Sequence, residues 1–268
     1  MASWEFPGAD PIDVDINLPT GSIAITAEPT EVSTVRLVAS RPGRGADEAI
    51  AQVRVEYRGG RLEISGPKPG LRRGGFGLDL TVKVPSGSRC IVRTASSDVA
   101  CLGELASLDA RTASGDVTAA LVSGPVQVVT ASGDVWLEEA AGEVAANTAS
   151  GDFRLLHAGD DVNVSTSSGN VQIGSCGGSA NAHTVSGDVR IASIGSGRAE
   201  LNSVSGDVTL GVAPGASVYL DISSLTGRVS SELEPSDGDG DGSADLHVKC
   251  RSISGDVRVT RAVPAPAH

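Results

Sequence analysis

The sequence predicts an all-β protein: a β-helix-like β-solenoid of about nine coils, capped at its N-terminal end by a β layer. Two observations lead to this prediction. The hexapeptide TASGDV occurs at 112–117 and 130–135, and TASGDF follows at 148–153, so related segments recur every 18 residues. Within each unit, apolar residues alternate with polar ones, which is the period of a strand with one buried face.

The repeated unit is most easily followed at the aspartate of its Ser-Gly-Asp triplet. Equivalent positions are first 18 residues apart and then further apart towards the C-terminus; they are Asp98, Asp116, Asp134, Asp152, Asn170, Asp188, Asp207, Arg228 and Asp256. A second turn containing glycine, such as VSGP at 122–125, separates two strands within a unit. One unit is therefore predicted to be strand, turn, strand, turn.

Aligned units place similar residues in columns. One column follows the triplet and contains Val99, Val117, Val135, Phe153, Val171 and Val189. Parallel coils bring equivalent side chains together at about 4.8 Å, which favours such columns. An antiparallel meander could also repeat its turns at a constant phase, but it gives no reason for identical columns. The solenoid is therefore the favoured topology, with each coil stacked on the one before it.

The Ser-Gly-Asp triplet is interpreted as a turn and not as a row of reactive groups. Glycine is expected to supply a positive φ, and the Ser and Asp side chains to bond nearby backbone amides. Glycoside hydrolysis needs one particular pair of carboxylates, whereas this aspartate is iterated and is replaced by Asn170 and Arg228. The threonine before the triplet shares the phase of the buried residues, so its hydroxyl can bond a neighbouring turn.

Three segments follow from the pattern. Residues 1–83 lack the 18-residue period but alternate as strands, and they are predicted to form the N-terminal β layer, because an open solenoid end is an unpaired edge. Residues 84–262 form the repeats, with an acidic loop insertion, EPSDGDGDGSAD, at 234–245. Residues 263–268 are predicted to be a disordered tail.

Composition restricts the function classes. The formal net charge of −12 argues against nucleic-acid binding, which depends on basic surfaces. The start MASWEFPGAD lacks the regions of a signal peptide, and no apolar run reaches the roughly 18 residues of a transmembrane segment. A cytoplasmic protein with reduced thiols is therefore expected. Cys90, Cys101 and Cys250 fall in core columns, whereas Cys176 lies beside two glycines and is a candidate for exposure.

The acidic insertion has part of the spacing of a calcium loop. Four aspartates occupy positions 1, 3, 5 and 9 and are candidate calcium ligands: Asp237, Asp239, Asp241 and Asp245. The twelfth position, where a bidentate glutamate belongs, is Val248. An acidic surface loop without a cofactor is the favoured interpretation, and a divalent-cation-binding protein is an alternative.

Three residues are candidates for partner binding. Arg72 and Arg73 lie in the basic, glycine-rich stretch 66–77, where they could meet an acidic partner or an anionic lipid. Trp136 falls in the outward phase of its strand, where an exposed ring can mark a contact surface. The alternative for each of them is a solvated side chain.

The iterated TASGDV, TVSGDV and SVSGDV units, the lead-in VPSGSRCIVRTAS and the ending RSISGDVRVTRA resemble a bacterial β-strand-repeat family of unknown function, labelled "putative adhesin". The resemblance covers nearly all of the chain and implies a β-solenoid. It brings no catalytic residues, so none are assigned. Homologues of this type are typical of actinobacteria.

The favoured function is a non-enzymatic scaffold or interaction module. Its faces would bind a protein or a glycan, and its open strand edges would permit self-assembly. Peripheral association with the cell envelope is compatible with this function. The opposing prediction is a carbohydrate-active β-helix enzyme, which requires a cleft with charged residues that are not repeated. The repeats contain none, so such a site is expected only in the loops or the N-terminal layer.

Overall fold

The computed structural model describes residues 1–41, 46–66, 77–233 and 244–262 of the 268-residue chain. Regular structure in these ranges is almost entirely β-strand, with one short helix, α1 (Ala46–Ala51). The chain divides into two compact units, Met1–Glu138 and Glu139–His268. In both units most strands pair in parallel between stacked coils, which confirms the predicted all-β solenoid.

Unit 1 contains both parallel and antiparallel strands. In chain order they are β1 (Ala2–Pro7), β2 (Asp13–Asn17), β3 (Gly21–Ala27), β4 (Val32–Ala39), β5 (Arg54–Arg58), β6 (Arg61–Ser65), β7 (Leu78–Val84), β8 (Ser88–Arg93), β9 (Asp98–Arg111), β10 (Val117–Val122) and β11 (Val126–Val129). The next strand, β12 (Val135–Ala140), includes the division between the units.

The first coil of unit 1 comes from residues without the 18-residue period. β2 pairs in parallel with β8, placing Val14 opposite Cys90, and β3 pairs in parallel with β9, placing Ile23 opposite Val99. Parallel stacking therefore starts before residue 84, where the regular repeat begins. The assignment of residues 1–83 as a domain of their own stays a prediction.

Antiparallel strands complete the N-terminal layer. On their other edges β2 and β3 pair in parallel with β6 and β7. β6 then pairs antiparallel with β5, β7 pairs antiparallel with β4, and β4 pairs antiparallel with β1. The layer thus covers the edge of the first coil, as a cap is expected to do.

Unit 2 is built from parallel strands. They are β13 (Val144–Thr148), β14 (Phe153–Ala158), β15 (Val162–Thr166), β16 (Val171–Cys176), β17 (Ala180–Ser186), β18 (Val189–Ile194), β19 (Gly197–Ser205), β20 (Val208–Val212), β21 (Val218–Ser224), β22 (Val229–Ser231), β23 (Leu246–Ser252) and β24 (Val257–Arg261). Odd-numbered strands stack on odd-numbered strands, and even-numbered strands on even-numbered ones.

The last two coils of unit 2 are exchanged in order. β19 and β20 pair with β23 and β24, which pair in turn with β21 and β22. The predicted stacking in chain order is therefore wrong at this end. The inner coil has Val259 where the outer coil has Ser231. Burying Val259 between two coils removes more apolar surface from water than burying Ser231 would.

The predicted core columns are confirmed by the strand register. Val162 lies opposite Val144 on one side and Ala180 on the other, and Phe153 lies opposite Val171. All five side chains are buried, and Phe153 is the largest fully buried side chain in the described part of the chain. The 18-residue period therefore positions inward residues, and the outward residues between them are free to carry function.

Candidate interaction surface

The aspartates of the Ser-Gly-Asp turns accept hydrogen bonds from the backbone of the neighbouring coil. Oδ1 of Asp188 accepts from the amide N of Asp207 at 2.8 Å, and Oδ1 of Asp207 accepts from the amide N of Asp256 at 2.8 Å. Oδ1 of Asn170 plays the same part, accepting from the amide N of Asp188 at 2.9 Å. Equivalent bonds occur in unit 1. These side chains are structural acceptors that join successive coils.

The glycines of these turns are required by close approach and not by a positive φ. The predicted positive φ is wrong, because among the described residues it occurs at none of the triplet glycines. A Cβ at Gly187 would lie 2.2 Å from the carbonyl oxygen of Gly169, and a Cβ at Gly133 would lie 2.0 Å from that of Gly115. Only glycine lets the backbones of successive turns come this close.

Several of the hydroxyls before the triplets bond neighbouring turns, as predicted, although the buried hydroxyl of Thr166 has no hydrogen-bond partner among the described residues. Oγ1 of Thr184 donates to the carbonyl oxygen of Gly169 at 3.2 Å, and Oγ of Ser203 donates to that of Gly187 at 3.0 Å. The hydroxyl of Thr112 also serves its own turn, since it accepts from the amide N of Gly115 at 2.9 Å. The repeated motif is therefore accounted for by the fold.

The predicted cation and partner residues are only partly covered by the structure. Asp237, Asp239, Asp241, Arg72 and Arg73 lie outside the described residues. Their roles stay predictions.

The fourth predicted ligand is engaged by a serine. Oδ2 of Asp245 accepts from the amide N of Ser217 at 3.1 Å and from its Oγ at 3.0 Å. These bonds lower the pKa of the Asp245 carboxyl, with the backbone bond having the larger effect. Within the described ranges, no three His, Cys, Asp or Glu side chains lie together as a metal site.

Trp136 is confirmed as an outward residue of β12, with 45 % of its surface exposed. Its neighbours in the strand, Val135 and Leu137, are buried. A role of Trp136 in partner binding stays a prediction.

All four cysteines are buried and unpaired. This confirms the core positions of Cys90, Cys101 and Cys250, whereas the prediction that Cys176 is exposed is wrong. The Sγ atom of Cys176 lies 3.4 Å from the carbonyl oxygen of Gly178, in the turn that its flanking glycines form. Burial raises the pKa of Cys101 and of Cys250 to about 12.

We expect these thiols to be inert in the folded protein near neutral pH, because the thiolate is the reactive form. DTNB should label the native protein slowly and the denatured protein fast. Since the folded pKa of Cys101 and Cys250 is raised, the folded state keeps protons that the unfolded state releases. The contribution of these thiols to the free energy of unfolding should therefore be fully present below about pH 9 and be lost as the pH rises towards 12. Rapid labelling of the native protein at pH 8 would contradict this burial.

The outermost coil of unit 2 exposes an unusual amount of apolar surface. We call residues 218–231 the terminal coil. Leu225 is 77 % exposed, Tyr219 62 % and Val229 45 %. The inward residues of β21 are half-buried, whereas the equivalent residues of β23 are fully buried. The terminal coil therefore leaves core-type side chains in contact with water.

An apolar ridge runs onto the terminal coil from the coils below it. The residue that follows the buried Thr or Ser before each triplet is Ala149 and then Ser167 in the first coils of unit 2. In later coils this position becomes larger and apolar; in stacking order it is Val185, Val204, Ile253 and Leu225. A groove of about 540 Å³ lies beside the ridge, between Ile253, Leu225, His183 and Arg251.

The rim of this surface is polar. Arg251 forms an ion pair with Asp221 of the terminal coil, with Nη2 and Oδ2 3.3 Å apart.

The row of turn aspartates that accept backbone hydrogen bonds ends at the terminal coil. Asp256 Oδ1 accepts from the amide N of Arg228 at 2.8 Å, and Arg228 has no carboxylate to accept a further bond. The sequence marked this break at Arg228 but did not predict the surface, because the exchanged coil order hides which coil is outermost.

None of the helices in the described ranges is long and apolar enough to cross a membrane.

A family model described as Toastrack DUF4097 matches residues 13–260. No curated protein matches the sequence.

Similar solved structures include a "putative adhesin" from Bacteroides fragilis, at 10 % identity over 97 % of this chain and 96 % of that chain, with a TM-score of 0.41. Another is a "putative lipid binding protein" from Parabacteroides distasonis, at 10 % identity over 98 % and 96 %, with a TM-score of 0.36. A third is a "putative cell adhesion protein" from Clostridium sporogenes, at 13 % identity over 97 % and 99 %, with a TM-score of 0.26. These likenesses do not bear on function.

Proposed function

Because this chain belongs to the Toastrack DUF4097 family and exposes the terminal coil, we propose that it is a non-enzymatic scaffold that binds a protein partner there. The observation that carries the proposal is the exposure of Tyr219, Leu225 and Val229 within one coil. Exposed apolar surface with a polar rim is typical of protein interaction sites, and here Leu225 lines a groove together with the exposed Ile253.

The use of the iterated carboxylates supports a role without catalysis. A glycosidase needs two carboxyl groups that are free to exchange protons or attack a sugar. Here Oδ1 of Asp188, Asp207 and Asp256 each accepts a backbone amide of the next coil. These carboxylates hold the coils together, so the repeated aspartates do not supply the pair that the competing enzyme hypothesis requires.

The terminal coil also offers hydrogen bonds to a partner. β21 pairs with β23, and β22 pairs with β24, so each has a second edge that meets no other described strand. An extended segment of a partner can satisfy these backbone groups while its side chains cover the exposed apolar ones. Apolar contacts then supply affinity, and the strand pairing supplies orientation.

We expect Leu225→Ser to abolish most of the partner binding, because it removes the most exposed apolar side chain of the surface. Immobilised wild-type protein and the variant are compared for retention of proteins from a native extract, including a separately tagged copy of this chain. Leu156→Ser is the matched control, since Leu156 is also an exposed leucine of unit 2 but lies on β14. It should retain the same partners as the wild type.

Two results would contradict the proposal. One is equal retention by all three proteins, which would place binding elsewhere or show it to be non-specific. The other is hydrolysis of members of a polysaccharide panel by the wild type, which would favour the enzyme.

A further inference from the structure

We propose that the partner of the terminal coil is a second copy of this chain, joined through an antiparallel pair of β21 strands centred on Leu220. The proposal rests on the proposed function, because it names the partner of the same surface. β21 lies at the edge of its stack, and in the described part of the chain it pairs with β23 alone.

The backbone groups that face this free edge follow from the pairing with β23. The carbonyl oxygen of Ser217 accepts from the amide N of Leu246 at 3.1 Å, and the amide N of Leu225 donates to the carbonyl oxygen of Ser252 at 3.3 Å. Odd-numbered positions of β21 therefore bond β23. Because backbone groups alternate along a strand, the even-numbered residues, Val218 to Ser224, direct their N–H and C=O groups to the free edge.

Within the described residues, this edge lacks the protection that natural edge strands usually have. Charged side chains, proline and bulges commonly prevent edge strands from pairing with another chain. β5, which pairs with β6 on one edge, carries Arg54, Glu56 and Arg58, and β1 ends at Pro7. The sequence of β21, VYLDISS, contains one charge and no proline. Such a composition is typical of a strand that is paired on both of its edges.

The sequence of β21 is complementary to itself in one register. In an antiparallel pair centred on Leu220, that residue lies opposite its own copy, and Val218 lies opposite Ile222 of the second copy. These even-numbered residues face each other in hydrogen-bonded pairs, with apolar side chains on the core side. Tyr219 then lies opposite Asp221 of the second copy, where a phenol can donate to a carboxylate.

Neighbouring registers are less favourable. A pair centred on Asp221 places two carboxylates opposite each other, with Cα atoms about 4.5 Å apart, which is repulsive. A pair centred on Tyr219 shortens the paired segment, because Ile222 then lies beyond the start of the partner strand at Val218. The register centred on Leu220 pairs all three inward apolar residues and opposes no like charges.

The net charge of −12 adds a further expectation. Two copies repel each other at low ionic strength, and added salt screens this repulsion. Self-association should therefore strengthen with salt. Added salt would instead weaken the binding of a basic partner.

A disulfide experiment tests the register. Tyr219→Cys and Asp221→Cys variants are mixed and oxidised, which should produce a disulfide between the two, because opposite residues lie about 4.5 Å apart and within disulfide range. In a dimer of two Tyr219→Cys chains, the introduced thiols lie on Cα atoms about 8 Å apart, so a disulfide should form poorly. In a mixture of Asp221→Cys and Ser223→Cys, the thiols of the two variants lie on Cα atoms about 14 Å apart, so no disulfide between the two variants should form. The native thiols are buried and give little background.

Sedimentation of the full chain over a range of concentrations and salt tests the dimer itself. Val218→Pro removes an outward N–H from the first residue of β21, where proline is tolerated, and should weaken the dimer by roughly tenfold or more at an unchanged Tm. A monomer under all conditions, or equal linking in all the cysteine mixtures, would overturn the proposal. If such a monomer still retains another protein in a Leu225-dependent way, the proposed function stands and the second copy is excluded as the partner.

Discussion

Gly133→Ala should destabilise the protein by about 3 kcal/mol, although alanine has the better intrinsic preference for regular structure. The new Cβ would lie 2.0 Å from the carbonyl oxygen and 2.7 Å from the carbonyl carbon of Gly115. Both are backbone atoms of a stacked turn and cannot move without disturbing the coil, so the cost lies at the upper end of that for overpacked sites. Thermal unfolding should show Tm lower by roughly 10 °C.

The matched control for this prediction is Gly60→Ala. Gly60 has a φ of +78°, and a Cβ there would meet no atom within 4 Å. Strain alone should therefore cost Gly60→Ala about 1 kcal/mol. A loss at Gly133 no larger than the loss at Gly60 would contradict the conclusion that close approach between the coils requires glycine at the repeated positions.

The contrast between these glycines shows what a repeat can and cannot predict. The alternation and the 18-residue period predicted the strands, the inward columns and the parallel stacking, because burial alone imposes that pattern. They did not predict why each triplet needs glycine. That reason is the proximity of Gly115 to Gly133, which becomes visible only when the coils are stacked.

The stacking order of the last coils could not be predicted from the sequence, for a different reason. The segments that contain Asp207, Arg228 and Asp256 follow the same template, so each could stack on any of the others. The outcome depends on differences such as Val259 against Ser231, which matter only when both placements are compared. As a result, the outermost coil, and with it the candidate surface around Leu225, could not be located from the chain order.

Asp188→Ala should destabilise the protein by about 1–2 kcal/mol, because it leaves the amide of Asp207 without the acceptor that now lies 2.8 Å away. Asp188→Asn should change stability by less than about 0.5 kcal/mol, since an amide oxygen can accept the same bond. The chain already contains this substitution one coil earlier, where Oδ1 of Asn170 accepts from the amide N of Asp188.

This pair of variants distinguishes two roles of the turn aspartates: accepting a hydrogen bond from the next coil, or providing a negative charge. Stacked carboxylates about 4.8 Å apart repel each other by roughly 1 kcal/mol in water, so asparagine also relieves a small repulsion. Urea unfolding with calcium and with EDTA should therefore rank Asp188→Asn close to the wild type and above Asp188→Ala in both solutions. If asparagine is as damaging as alanine, and only when calcium is present, the negative charge itself is required. The aspartates of the repeats would then bind cations.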